Sequence, residues 1–165
     1  MDRTIRTSSM TMPVTRAKRR VREKSTRPLG RGPLLISAYD RQRLLRLVGG
    51  MQAANVENDQ LGDVEFEVER AVALRPNAIP PDVVTVNSRV RIRDLESGVR
   101  TEISIVLPAN VDRLAGCISI LDPLGFALFG RRIGDEVRLA SDRGERRFLL
   151  EAIPYQPEAA GDYHL

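Results

Sequence analysis

Tryptophan is absent, and four phenylalanines and three tyrosines are all the aromatic side chains in 165 residues. Cys117 is the only cysteine, which excludes an intramolecular disulfide framework and any CxxC metal site and fits a reducing compartment. His164 is the only histidine and stands next to last, so a Ser–His or Cys–His nucleophilic pair would require the chain's end to fold back onto its core. No apolar run approaches the ~18 residues that cross a bilayer, and no secretory signal is expected. A catalytic constellation, a bound cofactor and a membrane partner are therefore not anticipated, and the length allows one ordinary domain or a small one with an appendage.

Charge is plentiful but unevenly placed. The net charge of +4 conceals ten basic residues against two acids in residues 1–31, and sixteen arginines against twenty acids in the remainder. The tail is thus +8 and the body −4, so the basic character belongs to the tail. Met1–Pro33, rich in Arg, Ser and Thr, carries no sustained apolar stripe and is expected to be disordered. Its composition is similar to an organellar transit peptide, and Met10 and Met12 are alternative starts. Its functional reading is weak electrostatic contact with nucleic acid, weighed against a solvated arm.

The body is organised around Gly116–Val137, GCISILDPLGFALFGRRIGDEV. Gly116–Leu121 reads as a largely buried strand, with Cys117 a small core residue. Asp122 stands in an N-cap position and Pro123 at the first position of a short helix. Gly130 closes the helix, and Gly134-Asp135 turns the chain into another strand. The run Ile118, Ser119, Asp122, Pro123, Leu124, Gly125, Ala127, Leu128, Gly130, Gly134, Asp135, Val137 resembles the signature of the C-terminal domain of the Gre transcript-cleavage factors. Asp122 replaces the family's serine.

Before this unit, Ser37-x-x-Asp40 resembles a capping box at the head of a helix carrying Leu44, Leu47, Val48 and Met51. Gly49-Gly50 is expected to weaken, bend or stop it. Asn55–Gln60 is the polar tip of a hairpin. Leu61–Leu74 satisfies both periods, a strand's through Val64, Phe66 and Val68 and a helix's through Leu61, Val64, Val68 and Ala71. The Gre resemblance implies a helical hairpin here, hence a helix to about Arg70 and a short strand over Ala71–Leu74. Arg41, Arg43 and Arg46 could then face Asp63, Glu65, Glu67 and Glu69. Those acids suggest a solvated face rather than a metal site, because neither histidine nor cysteine accompanies them.

Beyond Pro76–Pro81, Val83–Asp94 alternates as a strand, with Val84, Val86, Ser88, Val90 and Ile92 inward and Arg89, Arg91 and Arg93 outward. Val99–Leu107 returns antiparallel to it. A loop over Pro108–Gly116, with a helical turn near Val111–Ala115, leads to the central unit. Glu136–Leu139 and Arg147–Ile153 pair across Asp142-Arg143-Gly144. The outward arginine stripe is read as a solvated face, or as a partner-docking surface.

The expected fold class is α+β: a twisted, mostly antiparallel sheet with one short helix, preceded by a short antiparallel helical hairpin or coiled coil. Its expected divisions are a tail over 1–33, a hairpin over 34–75 and a globular domain over 76–165. Tyr155–Asp162 and Ile79–Ser88 are similar to the Rnk branch of the Gre superfamily, known as regulators of nucleoside diphosphate kinase.

That resemblance implies an FKBP-like domain docked at the rim of the RNA polymerase secondary channel through Asp122, Pro123, Leu124 and Gly125. The hairpin would point inward. The FKBP likeness does not license prolyl isomerase activity, since aromatic residues to build such a pocket are few. In Gre factors, acids at the hairpin tip help hold the catalytic magnesium. Here the tip offers Glu57 and Asp59, on arms of about 27 and 15 Å that are shorter than the family's. The expectation is a cytoplasmic, non-enzymatic regulator, with no small-molecule substrate, that competes with Gre-type factors without cleaving transcripts. The alternative is a regulator acting directly on nucleoside diphosphate kinase or another metabolic enzyme.

Overall fold

The computed structural model describes residues 33–141 and 144–164. The basic tail through residue 32 and positions 142–143 of the last hairpin's turn lie outside the described residues.

A three-residue strand β1 (Leu35–Ser37) runs directly into helix α1 (Ala38–Ala53). Ser37 has an extended backbone, and its Oγ accepts from the Asp40 N–H at 3.1 Å, the expected start signal. The glycine pair does not stop α1, which runs three residues further to Ala53. Tertiary packing outweighs propensity here, because Leu44 and Val48 are fully buried just before the pair.

After the polar tip, helix α2 (Leu61–Arg70) buries Leu61, Val64 and Val68. Strand β2 (Val72–Leu74) follows and pairs in parallel with β1, Leu35 opposite Val72 and Ser37 opposite Leu74. This ladder ties the two roots of the hairpin together. The helical period governs Leu61–Arg70 because it places three apolar side chains on one buried stripe and leaves Phe66 exposed.

Strands β3 (Arg89–Asp94) and β4 (Arg100–Val106) form the expected antiparallel hairpin. Asp94 shapes its turn: one carboxylate oxygen accepts from the Glu96 and Ser97 N–H groups, and Gly98 adopts φ 74°. Strand β5 (Cys117–Ser119) is followed by helix α3 (Pro123–Leu128), strands β6 (Glu136–Ser141) and β7 (Gly144–Tyr155), and a short helix α4 (Pro157–Ala160). The five-stranded sheet has the order β5-β4-β3-β7-β6 and is antiparallel except for the edge pair β4–β5.

One apolar cluster runs from Leu44, Val48, Val64 and Val68 of the hairpin through Val84 and Val86 to Ile105, Ile120, Phe126, Phe129 and Leu150. Each such buried side chain contributes about 1.5–3 kcal/mol.

Three local expectations are corrected. Val83–Ser88 is not a strand: Val83, Val84, Thr85 and Val86 are all buried, whichever face alternation would assign them, and Asn87 sits at φ 64°. The segment is a turn, with the Thr85 N–H donating to Ser88 Oγ at 3.0 Å. Cys117 is half-buried on an edge strand rather than in the core. The helical turn expected at Val111–Ala115 occurs instead as a 3-10 turn over Pro108–Asn110, where Pro108 presets the backbone. Asp112 then closes a polar turn by accepting from the Leu114 and Ala115 N–H groups.

Candidate docking turn and hairpin tip

The turn before α3 is held by two side chains facing each other across four residues. The Ser119 N–H donates to the Asp122 carboxylate at 3.2 Å, and the Leu121 N–H donates to Ser119 Oγ at 3.0 Å. Asp122 has the extended backbone of an N-cap (φ −77°, ψ 146°), and its carbonyl accepts from the Phe126 N–H at 2.9 Å. Its carboxylate makes no capping bond to the helix, contrary to expectation, because it is engaged backwards with Ser119. The helix start relies instead on Pro123, which has no N–H to satisfy.

Gly125 explains the sequence at its position. A Cβ there would lie 2.1 Å from the Ser119 carbonyl oxygen and 3.3 Å from the Ile120 Cα, so α3 crosses the backbone of the preceding turn in contact. Pro123 is exposed, Asp122 and Leu124 are half-buried, and Gly125 is buried. The first three therefore offer surface; Gly125 sets their arrangement.

At the other end, Glu57 and Asp59 stand exposed on the connection between the helices. Asn55 leaves α1 at φ 53°, and Asn58 Oδ1 accepts from the Gln60 N–H at 2.8 Å. With 16 residues in α1 and 10 in α2, the arms measure about 24 and 15 Å. The α1 arginines do not seek the α2 acids as expected. Arg41 donates to the carbonyls of Val68 and Glu69 at 3.3 Å, satisfying the exposed end of α2, and Arg43 donates to the His164 carbonyl at 3.1 Å.

The burial of four polar side chains, Asp40, Glu158, Gln156 and Arg131, escaped sequence reasoning. Asp40 is 4% exposed where α1 meets α4, with one carboxylate oxygen lacking a partner. Burial, and then the nearby Glu158, push its carboxyl up to about 7 against the opposing pull of Arg43, Ser37 and the Val86 backbone. Glu158 is itself buried and accepts from the Thr85 hydroxyl at 2.7 Å. Gln156 donates to the Pro80 and Val83 carbonyls, which fastens α4 to the irregular Val83–Ser88 segment. Arg131, 4% exposed, follows α3 and donates from Nε to the Ala127 carbonyl at 3.1 Å, near Asp135 and Glu67. The signal for Asp40 was its dual place, as third residue of a helix and neighbour of a buried strand, but its distant partner at position 158 left no local trace.

The register fixes the outer face of the sheet. Arg91 lies opposite Glu102 and pairs with it at 2.6 Å, while Arg93 and Arg100, opposite each other, share Glu151 at 2.9 and 2.8 Å.

A short, glycine-packed helix on a mixed sheet, entered from a two-helix hairpin, is the architecture of bacterial transcription elongation factors of the Gre type. The sequence model described as "Transcription elongation factor, GreA/GreB, C-term" matches residues 79–155. The Escherichia coli K12 protein named regulator of nucleoside diphosphate kinase is 40% identical over 100 residues, 60% of this chain and 74% of that protein. Transcription elongation factor GreA of Clostridium botulinum is 34% identical over 87 residues, 53% of this chain and 54% of that protein. Among solved structures, the prokaryotic elongation factor GreA/GreB from Nitrosomonas europaea superposes with a TM-score of 0.65 at 34% identity, over 75% of this chain and 99% of that one. The chain belongs to the GreA/GreB transcription elongation factor family, on the branch that includes the regulator of nucleoside diphosphate kinase.

Proposed function

We propose that this protein is a cytoplasmic, non-enzymatic regulator that binds RNA polymerase at the rim of the secondary channel and competes there with Gre-type factors. Docking falls to the turn of Asp122, Pro123 and Leu124, held in shape by Gly125. The division into a tail over 1–33, a hairpin over 34–75 and a docking domain from 76 follows from the same reading, and the tail adds at most weak, salt-sensitive contact with nucleic acid. The observation that carries the proposal is the hairpin's length. Arms of about 24 and 15 Å support a tip that enters the channel without carrying Glu57 and Asp59 as far as the catalytic metal.

Backtracked elongation complexes incubated with the protein should keep their transcripts intact, and cleavage by added GreA should slow. The Glu57→Ala/Asp59→Ala double variant should compete as well as wild type. Cleavage stimulated by the protein and lost in the double variant would overturn the reading. A second reading, direct regulation of nucleoside diphosphate kinase, draws support from the name of the relative with 40% identity. Pull-down with purified polymerase and purified kinase side by side separates the two.

A further inference from the structure

Charge on the outer face of the sheet is compensated at one end only. Arg91, Arg93 and Arg100 have carboxylate partners in Glu102 and Glu151. Arg89, the next outward residue of β3, stands opposite Ser104 on β4 and Tyr155 on β7, both neutral. The Tyr155 hydroxyl donates to Asp162 at 2.6 Å, a bond that pushes the phenol up to about 12 and keeps it uncharged. Arg89 is exposed and has no ion-pair or hydrogen-bond partner among the described residues.

Beside it opens a groove of about 550 Å³, lined by Arg43 and Arg89 together with Asn87, Ser104, Tyr155 and Cys117. No carboxylate of the described residues lines it; Asp162 is engaged by the tyrosine hydroxyl, Asp40 lies 3.8 Å from Arg43, and Asp112 meets Cys117 through its backbone carbonyl at 2.7 Å. Arg43 reaches the groove from α1 and is steadied by its bond to the His164 carbonyl. A guanidinium has five N–H donors, so one such bond leaves most of the fork available.

We infer that this groove binds a small oxyanion, a phosphate or carboxylate group, between the guanidiniums of Arg43 and Arg89, with Asn87 and Ser104 as neutral hydrogen-bonding groups. Its volume falls within the range of small-ligand sites, and paired arginine forks match the geometry of an oxyanion. One arginine comes from the hairpin and the other from the sheet, so an occupant would bridge the two parts of the molecule. This inference stands apart from polymerase binding.

Cys117 supplies a local reporter, because it lines the groove and is the only cysteine in the chain. Alkylation of the full-length protein by uncharged N-ethylmaleimide would be timed with inorganic pyrophosphate, citrate and a nucleoside diphosphate titrated separately. Saturable slowing by at least one of the three is expected. Stronger protection by citrate would assign the group as a carboxylate; stronger protection by the nucleotide would assign it as a phosphate carried on a nucleoside. Arg89→Ala should raise the half-saturating concentration about tenfold or more, the loss of one charge-assisted contact. The charge-neutral control Arg91→Ala/Glu102→Ala should shift it less than about twofold, since that pair already satisfies itself. Absence of protection by all three anions, equal weakening in the variant and the control, or protection by polymerase alone would overturn the proposal.

Discussion

Replacing Asp40 by asparagine isolates the buried carboxyl at the joint between hairpin and domain. The group is held up from an ordinary value of 3.8 to about 7, chiefly by burial and secondarily by Glu158. Between those limits the folded state keeps a proton that the unfolded chain has released. Stability therefore falls as pH rises through the window; the penalty is absent below about pH 4 and complete above about pH 7. A shift of roughly three units corresponds to about 4 kcal/mol at most. That limit already contains the opposing pull of Arg43 at 3.8 Å and of Ser37, and Glu158, Asp162 and Tyr163 line the same small recess. Asparagine keeps the shape and cannot titrate. Urea unfolding of the wild type and Asp40→Asn at constant ionic strength, from about pH 4.5 to about pH 8.5, should show their stability difference moving by about 2–4 kcal/mol in favour of the variant as pH rises. Curves that stay parallel within about 0.5 kcal/mol would show that the carboxyl ionises freely in the fold, and the account of the joint would fail.

Gly125→Ala must force α3 off the Ser119 carbonyl, 2.1 Å from the new methyl, and should cost about 3 kcal/mol or more in thermal or urea unfolding. Gly49→Ala and Gly50→Ala meet no atom within 4 Å and should each raise stability by about 1 kcal/mol, so the same substitution changes sign with position. Asp122→Asn keeps an oxygen to accept from the Ser119 N–H and should unfold within about 1 kcal/mol of wild type, while polymerase affinity measured by competition with labelled GreA drops. Unchanged affinity would remove the Asp122 charge from the docking contact.

Local chemistry was legible wherever the determinant lay within four residues. Ser37 marked the start of α1, Asp122-Pro123 marked α3, and Gly130 and Gly134 took the left-handed backbone that their turns require. The choice of helix over strand for Leu61–Arg70 needed the family resemblance, because both periods fit its apolar residues. Val83–Ser88 misled because a segment buried on every side shows no alternation to distinguish a strand from a packed turn. Cys117 misled for the opposite reason: its neighbours are apolar, yet β5 lies at the sheet's edge, and edge position is a property of topology. The Asp40–Glu158–Thr85 joint joins three positions far apart in sequence, so no window along the chain contains it.

The exposed glycines at 49 and 50 give the longer arm an uneven stiffness. Below them, the β1–β2 ladder, Leu44 and Val48 fix the root of α1 to the body. Above them, only about one turn of helix remains before the tip, with Gln52 donating to Glu65 at 2.8 Å as a side-chain tie to α2. A load applied at the tip would therefore be absorbed near the glycines, where the backbone has no side chains to resist bending. The expected mechanical character of the hairpin is a rod held firmly at its root and easier to bend beyond the glycines.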